Sequence, residues 1–366
     1  MKILSFAEIW KTVRGSLESL ILKQIHLDRD LPIQLDITNL CNLRCQHCYH
    51  PHHKNEGALS LLEWFEILSQ YETLRNKMGY RPSLILCGGE PLLSPMLFPI
   101  LDRAFAINPD FKVTILSNGT LISAGILEKL KRYPRIAFQI SLDGPTSASH
   151  EQTRGKGSFE KTQSGVSALV NAGYRVQLLA VLSRRNAELI SDFFDLAKLW
   201  RVNLMNFTRL IVNGQAEILV REGRDHPLTA LELRDAYQSI LTHSARTGVR
   251  TSTSTPLMHL LHPALGRNGR FWESIIIDYQ GKMLASSRSR LVLGHALKDG
   301  LEKIFLEHPI LNSLRQGEVE DCGRCPHFKR CGGDRNAAFA STGNFLAADP
   351  GCWIGNKVPA LQGVSV

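Results

Sequence analysis

From residue 31 onward the chain alternates between two kinds of segment. Short apolar runs of strand length are "PIQLDI", "SLILC", "KVTIL", "IAFQI", "RVQLLAVL" and "NLMNFTRLIV". Each is followed by a longer stretch whose apolar positions recur at helical spacing. These are "SLLEWFEILSQYETLRNKMG", "PMLFPILDRAFAINP", "SAGILEKLKRYP", "SFEKTQSGVSALVNAG", "NAELISDFFDLAKLWR" and "TALELRDAYQSILTHSARTG". Several close on Gly or just before Pro, the usual helix stops. Six strand–helix units in series predict an α/β fold with a parallel sheet under helices. The strand segments are apolar without alternation, which predicts burial on both faces. A closed eight-unit barrel would need two more units, so a partial (β/α)6 barrel is expected in preference to a doubly wound sheet. Either places ligands at the C-terminal ends of the strands.

The pattern divides the chain. Residues 1–30 predict an amphipathic helical extension, 31–215 the barrel core, and 216–270 the last barrel helix with a bridging region. From 271 to 366 the character changes. "WESIIIDYQGKMLASS" predicts a hairpin turning at "YQGK", "GLEKIFLEHPILNSLRQG" a helix, and a loop-rich, cysteine-rich tail follows.

The 366 residues are 43% hydrophobic, enough for a large core, and carry a formal charge of +9. The basic residues are dispersed. The densest clusters, "LSRRN" and "SSRSRL", are short and hold no aromatic residues, which argues against nucleic acid as a partner. No apolar run reaches the length of a membrane span, and the N-terminus lacks the apolar core of a signal peptide. A cytoplasmic protein is therefore expected. Eight cysteines in a reducing compartment favour metal ligation or catalysis over disulfides.

Cys41, Cys45 and Cys48 follow the first strand, with three and then two residues between them. Thiolates suit zinc or iron–sulfur clusters. A structural zinc site wants a fourth ligand, such as His47 or His50. Three cysteines on a four-iron cube instead leave one iron open to a small chelating molecule. The other strand ends describe that molecule. Gly88 and Gly89 allow close backbone approach, and Glu90 suits an ammonium group. Ser117 and Asn118 end the third strand. Ser141 and Asp143 end the fourth and offer acceptors for a ribose, while Arg154 could pair with a carboxylate. Ammonium, carboxylate, ribose and an open iron together describe S-adenosylmethionine (SAM). Cys87 is read as a buried core thiol and Tyr49 as packing over the cluster or in the core. His50, His52 and His53 are read as a solvated loop. No catalytic acid or base stands out.

CxxxCxxC after the first strand and GGEP after the second resemble the radical SAM superfamily, over roughly residues 31–215. The resemblance implies a [4Fe–4S] cluster whose fourth iron is bound by SAM. It implies one-electron cleavage to a 5′-deoxyadenosyl radical, hydrogen abstraction from a substrate, and a flavodoxin- or ferredoxin-type reductant. Cys322, Cys325, Cys331 and Cys352, spaced by two, five and twenty residues, could close a zinc site or a second cluster. The tail resembles the SPASM domain or its shortened form, twitch, in which these positions hold an auxiliary [4Fe–4S] cluster. The other auxiliary cluster of that family lacks its cysteines here. The hairpin has Ser286, Ser287 and Ser289, and Asp334 and Arg335 follow the "GG". Two clusters in all are therefore expected, with the closed one relaying electrons or only holding the tail together.

"CGGDRNAAFASTGNFLAADPGC" resembles two branches of that family, peptide maturases and enzymes modifying tetrapyrroles of heme or heme d1 synthesis. Maturation of a ribosomally made precursor peptide, by crosslinking, epimerisation or related C–H chemistry, is the leading expectation, with a separate recognition protein where the chain supplies no such domain. A tetrapyrrole, its carboxylates met by Arg209, Arg267 and Arg270, is the alternative. A non-catalytic electron carrier would leave Gly88, Gly89, Glu90, Asp143 and Arg154 unexplained.

Overall fold

The computed structural model describes residues 29–354 apart from 51–52, 134, 253–254, 263–264 and 266–272. Six parallel strands run in chain order: β1 (Asp30–Asp36), β2 (Arg81–Cys87), β3 (Lys112–Ser117), β4 (Ile136–Ser141), β5 (Arg175–Leu182) and β6 (Met205–Arg209). Helices α1 (Leu61–Met78), α2 (Leu97–Ile107), α3 (Ala124–Leu130), α4 (Ser147–Arg154), α5 (Ser158–Asn171), α6 (Ile190–Leu199), α7 (Gln215–Arg221) and α8 (Ala230–Thr247) return the chain. The sheet forms the partial barrel that the alternating pattern predicts. Local signals set the helix ends. Ser60 and Glu63 form a capping box on α1, which stops at Gly79 in the left-handed conformation; Thr229, Glu232 and Gly248 do the same for α8.

The strands are not buried on both faces. Leu31, Ile33 and Leu35 of β1 are fully buried, whereas Pro32 and Gln34 between them are half-exposed; β3, β4 and β5 alternate likewise. One face packs under the helices with Trp64, Tyr71, Phe111 and Phe138. The other lines the open interior. Apolar side chains on that inner face, such as Ile85 and Leu116, hide the alternation in the sequence.

The sheet also continues past the expected boundary at residue 271. The hairpin forms as predicted, β7 (Ile275–Ile277) and β8 (Lys282–Leu284) pairing antiparallel around Gly281. But β7 pairs parallel with β1, matching Ile33 to Ile275 and Leu35 to Ile277, and β9 (Val292–His295) completes a nine-stranded sheet. An apolar "III" run satisfies the free edge of β1, which otherwise exposes unpaired backbone groups. Helices α9 (Leu301–Glu307), α10 (Pro309–Gln316), α11 (Phe328–Cys331) and α12 (Arg335–Thr342) make up the tail. The helical extension expected over residues 1–30 lies almost wholly outside the described residues. Among those described, no helix is long and apolar enough to cross a membrane.

Candidate metal and cofactor site

The loop carrying Cys41, Cys45 and Cys48 leaves β1 and is held from three sides. Gly89 N donates to Thr38 O and Glu90 N to Leu40 O, each at 2.8 Å. A Cβ at residue 88 would stand 2.1 Å from Thr38 O, and one at residue 89 only 2.2 Å from Leu40 O. Gly88 also has φ +124°. The close approach these glycines allow is thus to the cysteine loop's own backbone. From the β4 side, Gln46 N donates to Thr153 O at 2.9 Å. From the β6 side, Gln215 N donates to Cys48 O at 2.9 Å.

Glu90 is fully buried and accepts from Ser117 Oγ (2.8 Å), Asn118 N (2.8 Å) and Leu92 N (3.2 Å). Burial pushes its carboxyl up to about 7 against the pull of these bonds. Asn118 Nδ2 lies 3.9 Å from Cys41 Sγ. Ser141, at the end of β4, is half-buried. Asp143 is also buried, and its carboxylate already accepts from Arg154 Nε (2.6 Å), His47 Nε2 (2.7 Å) and Val181 N (2.9 Å). Burial alone would raise its pKa, but the charges of Arg154 and His47 hold it well below the carboxylate range. Arg154 Nη1 reaches to 3.8 Å from Cys45 Sγ, so the guanidinium lies between a carboxylate and a sulfur.

Burial pushes the Cys45 thiol up to about 12 and raises Cys41 and Cys48 as well. Such thiols give up their protons when bound to metal, next to a positive guanidinium. Among the described residues, no three His, Cys, Asp or Glu side chains gather tightly enough to hold one metal ion. His47 turns its Nε2 to Asp143, and His50 turns its Nδ1 to Asn39 Oδ1 at 3.2 Å. Three thiols fit a cubane, whose cysteines bind separate irons. His50 is not the solvated side chain expected. It is 3% exposed, and burial lowers its pKa to about 3. His52 lies outside the described residues. Cys87 is buried as expected.

In the tail, Cys322, Cys325, Cys331 and Cys352 line one cavity together with Leu257 and Asp349. A short turn brings the first two together, Cys325 N donating to Cys322 O at 3.0 Å, and Cys352 N caps Asp349 O at 3.1 Å. Arg335 Nη2 faces Cys322 Sγ at 3.8 Å. Four thiols around one cavity beside a guanidinium fit a closed cluster.

Arg209 is not a free carboxylate receptor. It is buried at the end of β6, with Nε on Asp334 Oδ2 (3.1 Å) and Nη2 on Asp349 Oδ1 (2.5 Å). Arg288 lies 3.7 Å from Asp334 and donates to Thr208 Oγ1 at 2.7 Å. Burial opposes ionisation of Asp334, yet these two cations bring it down to about 2. Arg267 and Arg270 lie outside the described residues. Sequence reasoning weighed His47 only as a zinc ligand, whereas it binds Asp143, and gave no role to Asp349 or Arg288. His47 and Asp349 adjoin cysteines, in "CQHC" and "DPGC", which was the available signal.

Residues 35–197 match the family described as the Radical SAM superfamily. Among curated proteins, the AdoMet-dependent heme synthase of Methanosarcina barkeri is 26% identical over 87% of this chain and 95% of its own. The mycofactocin maturase MftC of Mycolicibacterium smegmatis is 28% identical over 93% of this chain and 88% of its own. Among solved structures, Streptococcus suis SuiB bound to S-adenosylmethionine superposes with a TM-score of 0.72 at 16% identity, over 96% of this chain and 84% of its own.

Proposed function

We propose, from the premise that residues 35–197 form a radical SAM domain and the chain is a radical SAM enzyme, that it modifies a ribosomally made precursor peptide. Cys41, Cys45 and Cys48 would hold a [4Fe–4S] cluster with one open iron. Cys322, Cys325, Cys331 and Cys352 would hold a second, closed one. Bound together, the first cluster and S-adenosylmethionine supply one-electron cleavage to a carbon radical that removes hydrogen from substrate.

The chain's own residues bind and orient. Glu90 is placed to meet the ammonium group and Arg154 the carboxylate of S-adenosylmethionine, with Ser117, Asn118 and Ser141 toward the rest. Gly88 and Gly89 seat the cysteine loop. Asp143 already binds Arg154, His47 and the Val181 amide, so its part is to hold Arg154 and His47 in place.

The relatives divide between peptide and heme chemistry. The observation that favours a peptide is the inner face of the sheet. Gln139 on β4 lies opposite Gln177 on β5, and Asn206 on β6 reaches it diagonally, Gln177 donating to Gln139 and Asn206 to Gln177, each at 3.2 Å. A row of carboxamides matches the alternating donors and acceptors of a peptide backbone. Arg209, the described member of the arginine set expected to bind propionates, is taken by two aspartates.

The test is anaerobic incubation of iron-reconstituted enzyme with S-adenosylmethionine, dithionite and a small peptide encoded beside its gene. 5′-Deoxyadenosine and a peptide of altered mass are expected. Turnover of an iron porphyrin bearing propionates, with the peptide untouched, overturns the peptide assignment. Absence of 5′-deoxyadenosine with the cluster intact overturns the SAM chemistry.

A further inference from the structure

Arg335 opens α12 and is wholly buried. Its Nη1 donates to Ala347 O (2.5 Å) and Phe345 O (3.4 Å), its Nη2 faces Cys322 Sγ at 3.8 Å, and its Nε has no partner. No carboxylate forms an ion pair with it among the described residues. The neighbouring charges already balance each other. Arg209 and Arg288 answer Asp334 and Asp349, and Asp349 is the acid on the wall of the cysteine cavity. Arg335 is left as one buried positive charge directed at that cavity. A Cβ at residue 333, a glycine with φ +62°, would stand 2.4 Å from Nη2.

A buried cation without a counter-charge is costly to keep. Arg154, beside the other cysteine set, is neutralised by Asp143. Arg335 has two carbonyls and a sulfur, and so calls for an anion in the cavity. A [4Fe–4S] cube on four thiolates is such an anion. It carries two negative charges oxidised and a third after one-electron reduction.

We propose that Arg335 is the counter-charge of the tail cluster and raises its reduction potential, holding the electron that the cluster accepts from a one-electron donor. This rests on the reading that the four tail cysteines bind a four-iron cluster. The carbonyl contacts fix where the guanidinium lies, and its charge acts on the cube across the Cys322 sulfur. A cluster so biased is fitted to take up an electron from the barrel side.

The experiment is a redox titration with dithionite, followed by electron paramagnetic resonance, on full-length chain carrying Ala at Cys41, Cys45 and Cys48 so that only the tail cluster reports. In Arg335→Gln the tail iron should remain, and the ratio of reduced to oxidised cluster at a fixed potential should fall about tenfold, about 59 mV for one electron. Arg335→Lys, which keeps the charge, should recover most of that loss. If Arg335→Gln binds no iron, Gly333→Ala, which displaces the guanidinium, is titrated in its place and should shift in the same direction. A loaded variant with unchanged potential overturns the role of Arg335. A parent chain with no tail iron overturns instead the cluster reading beneath it.

Discussion

Arg209, the last residue of β6, hydrogen-bonds Asp349, three residues before the final tail cysteine, at 2.5 Å. Asp349 in turn accepts from the backbone of Asp334 and of Gly351. A strand end of the barrel is thereby tied to the wall of the cysteine cavity through one buried guanidinium. A Cβ at residue 351 would lie 2.0 Å from Arg209 Nη1, so the packing there leaves no slack.

Arg209→Ala should therefore strand Asp349 as an uncompensated buried charge and leave Asp334 with Arg288 alone. Removing one partner of a buried pair costs about 3–5 kcal/mol. Iron analysis and denaturant unfolding should show loss of the tail iron with the barrel iron retained. A variant that keeps all its iron and its unfolding midpoint would rule out this tie.

Gly89→Ala tests the seating of the cysteine loop. The new methyl meets Leu40 O at 2.2 Å, a backbone atom that yields only if the loop shifts. Overpacking of this kind costs about 1–3 kcal/mol. The expected result is loss of about four irons, the content of one cube, and of 5′-deoxyadenosine formation, with tail iron unchanged. Full cleavage activity would mean the loop has room to adjust.

Asp143→Asn leaves Arg154 and His47 without their shared carboxylate. The guanidinium should drift from Cys45, and S-adenosylmethionine should bind at least about tenfold more weakly, an effect of about 1.4 kcal/mol. Equilibrium dialysis on reconstituted protein measures it. Unchanged affinity would show that Arg154 holds its place without Asp143.

Glu90 gives a pH dependence. Its folded carboxyl sits near 7, above the ordinary value of 4.5, because burial disfavours the charge. A raised folded pKa means its stabilising contribution is fully present below about 4.5 and is lost as pH rises through about 7. Glu90 alone should remove on the order of 3 kcal/mol of the metal-free chain's stability between pH 5 and 8. Glu90→Gln, though less stable overall, should show a flatter profile in urea unfolding at each pH. Parallel profiles for the two proteins would assign the dependence elsewhere.

Much of this was legible in one dimension. The cysteine spacings, the glycines before Glu90 and the strand–helix alternation are local patterns, and local patterns follow from backbone chemistry that neighbours in sequence supply. They determined the barrel, its rim and two sets of thiols. Helix ends at Ser60, Gly79, Thr229 and Gly248 were likewise written where capping required them.

Pairings across long separations were left to the folded chain. That Glu90 would be stapled by Ser117 and Asn118, and Arg209 taken by Asp334 and Asp349, depends on which strand ends meet. The same holds for β7, which finds the edge of β1 across some 240 residues of chain. Residue types announce what chemistry a position can do; burial and proximity, fixed only when the sheet closes, decide which partner each charge meets and which one, Arg335, is left with two carbonyls and the Cys322 sulfur.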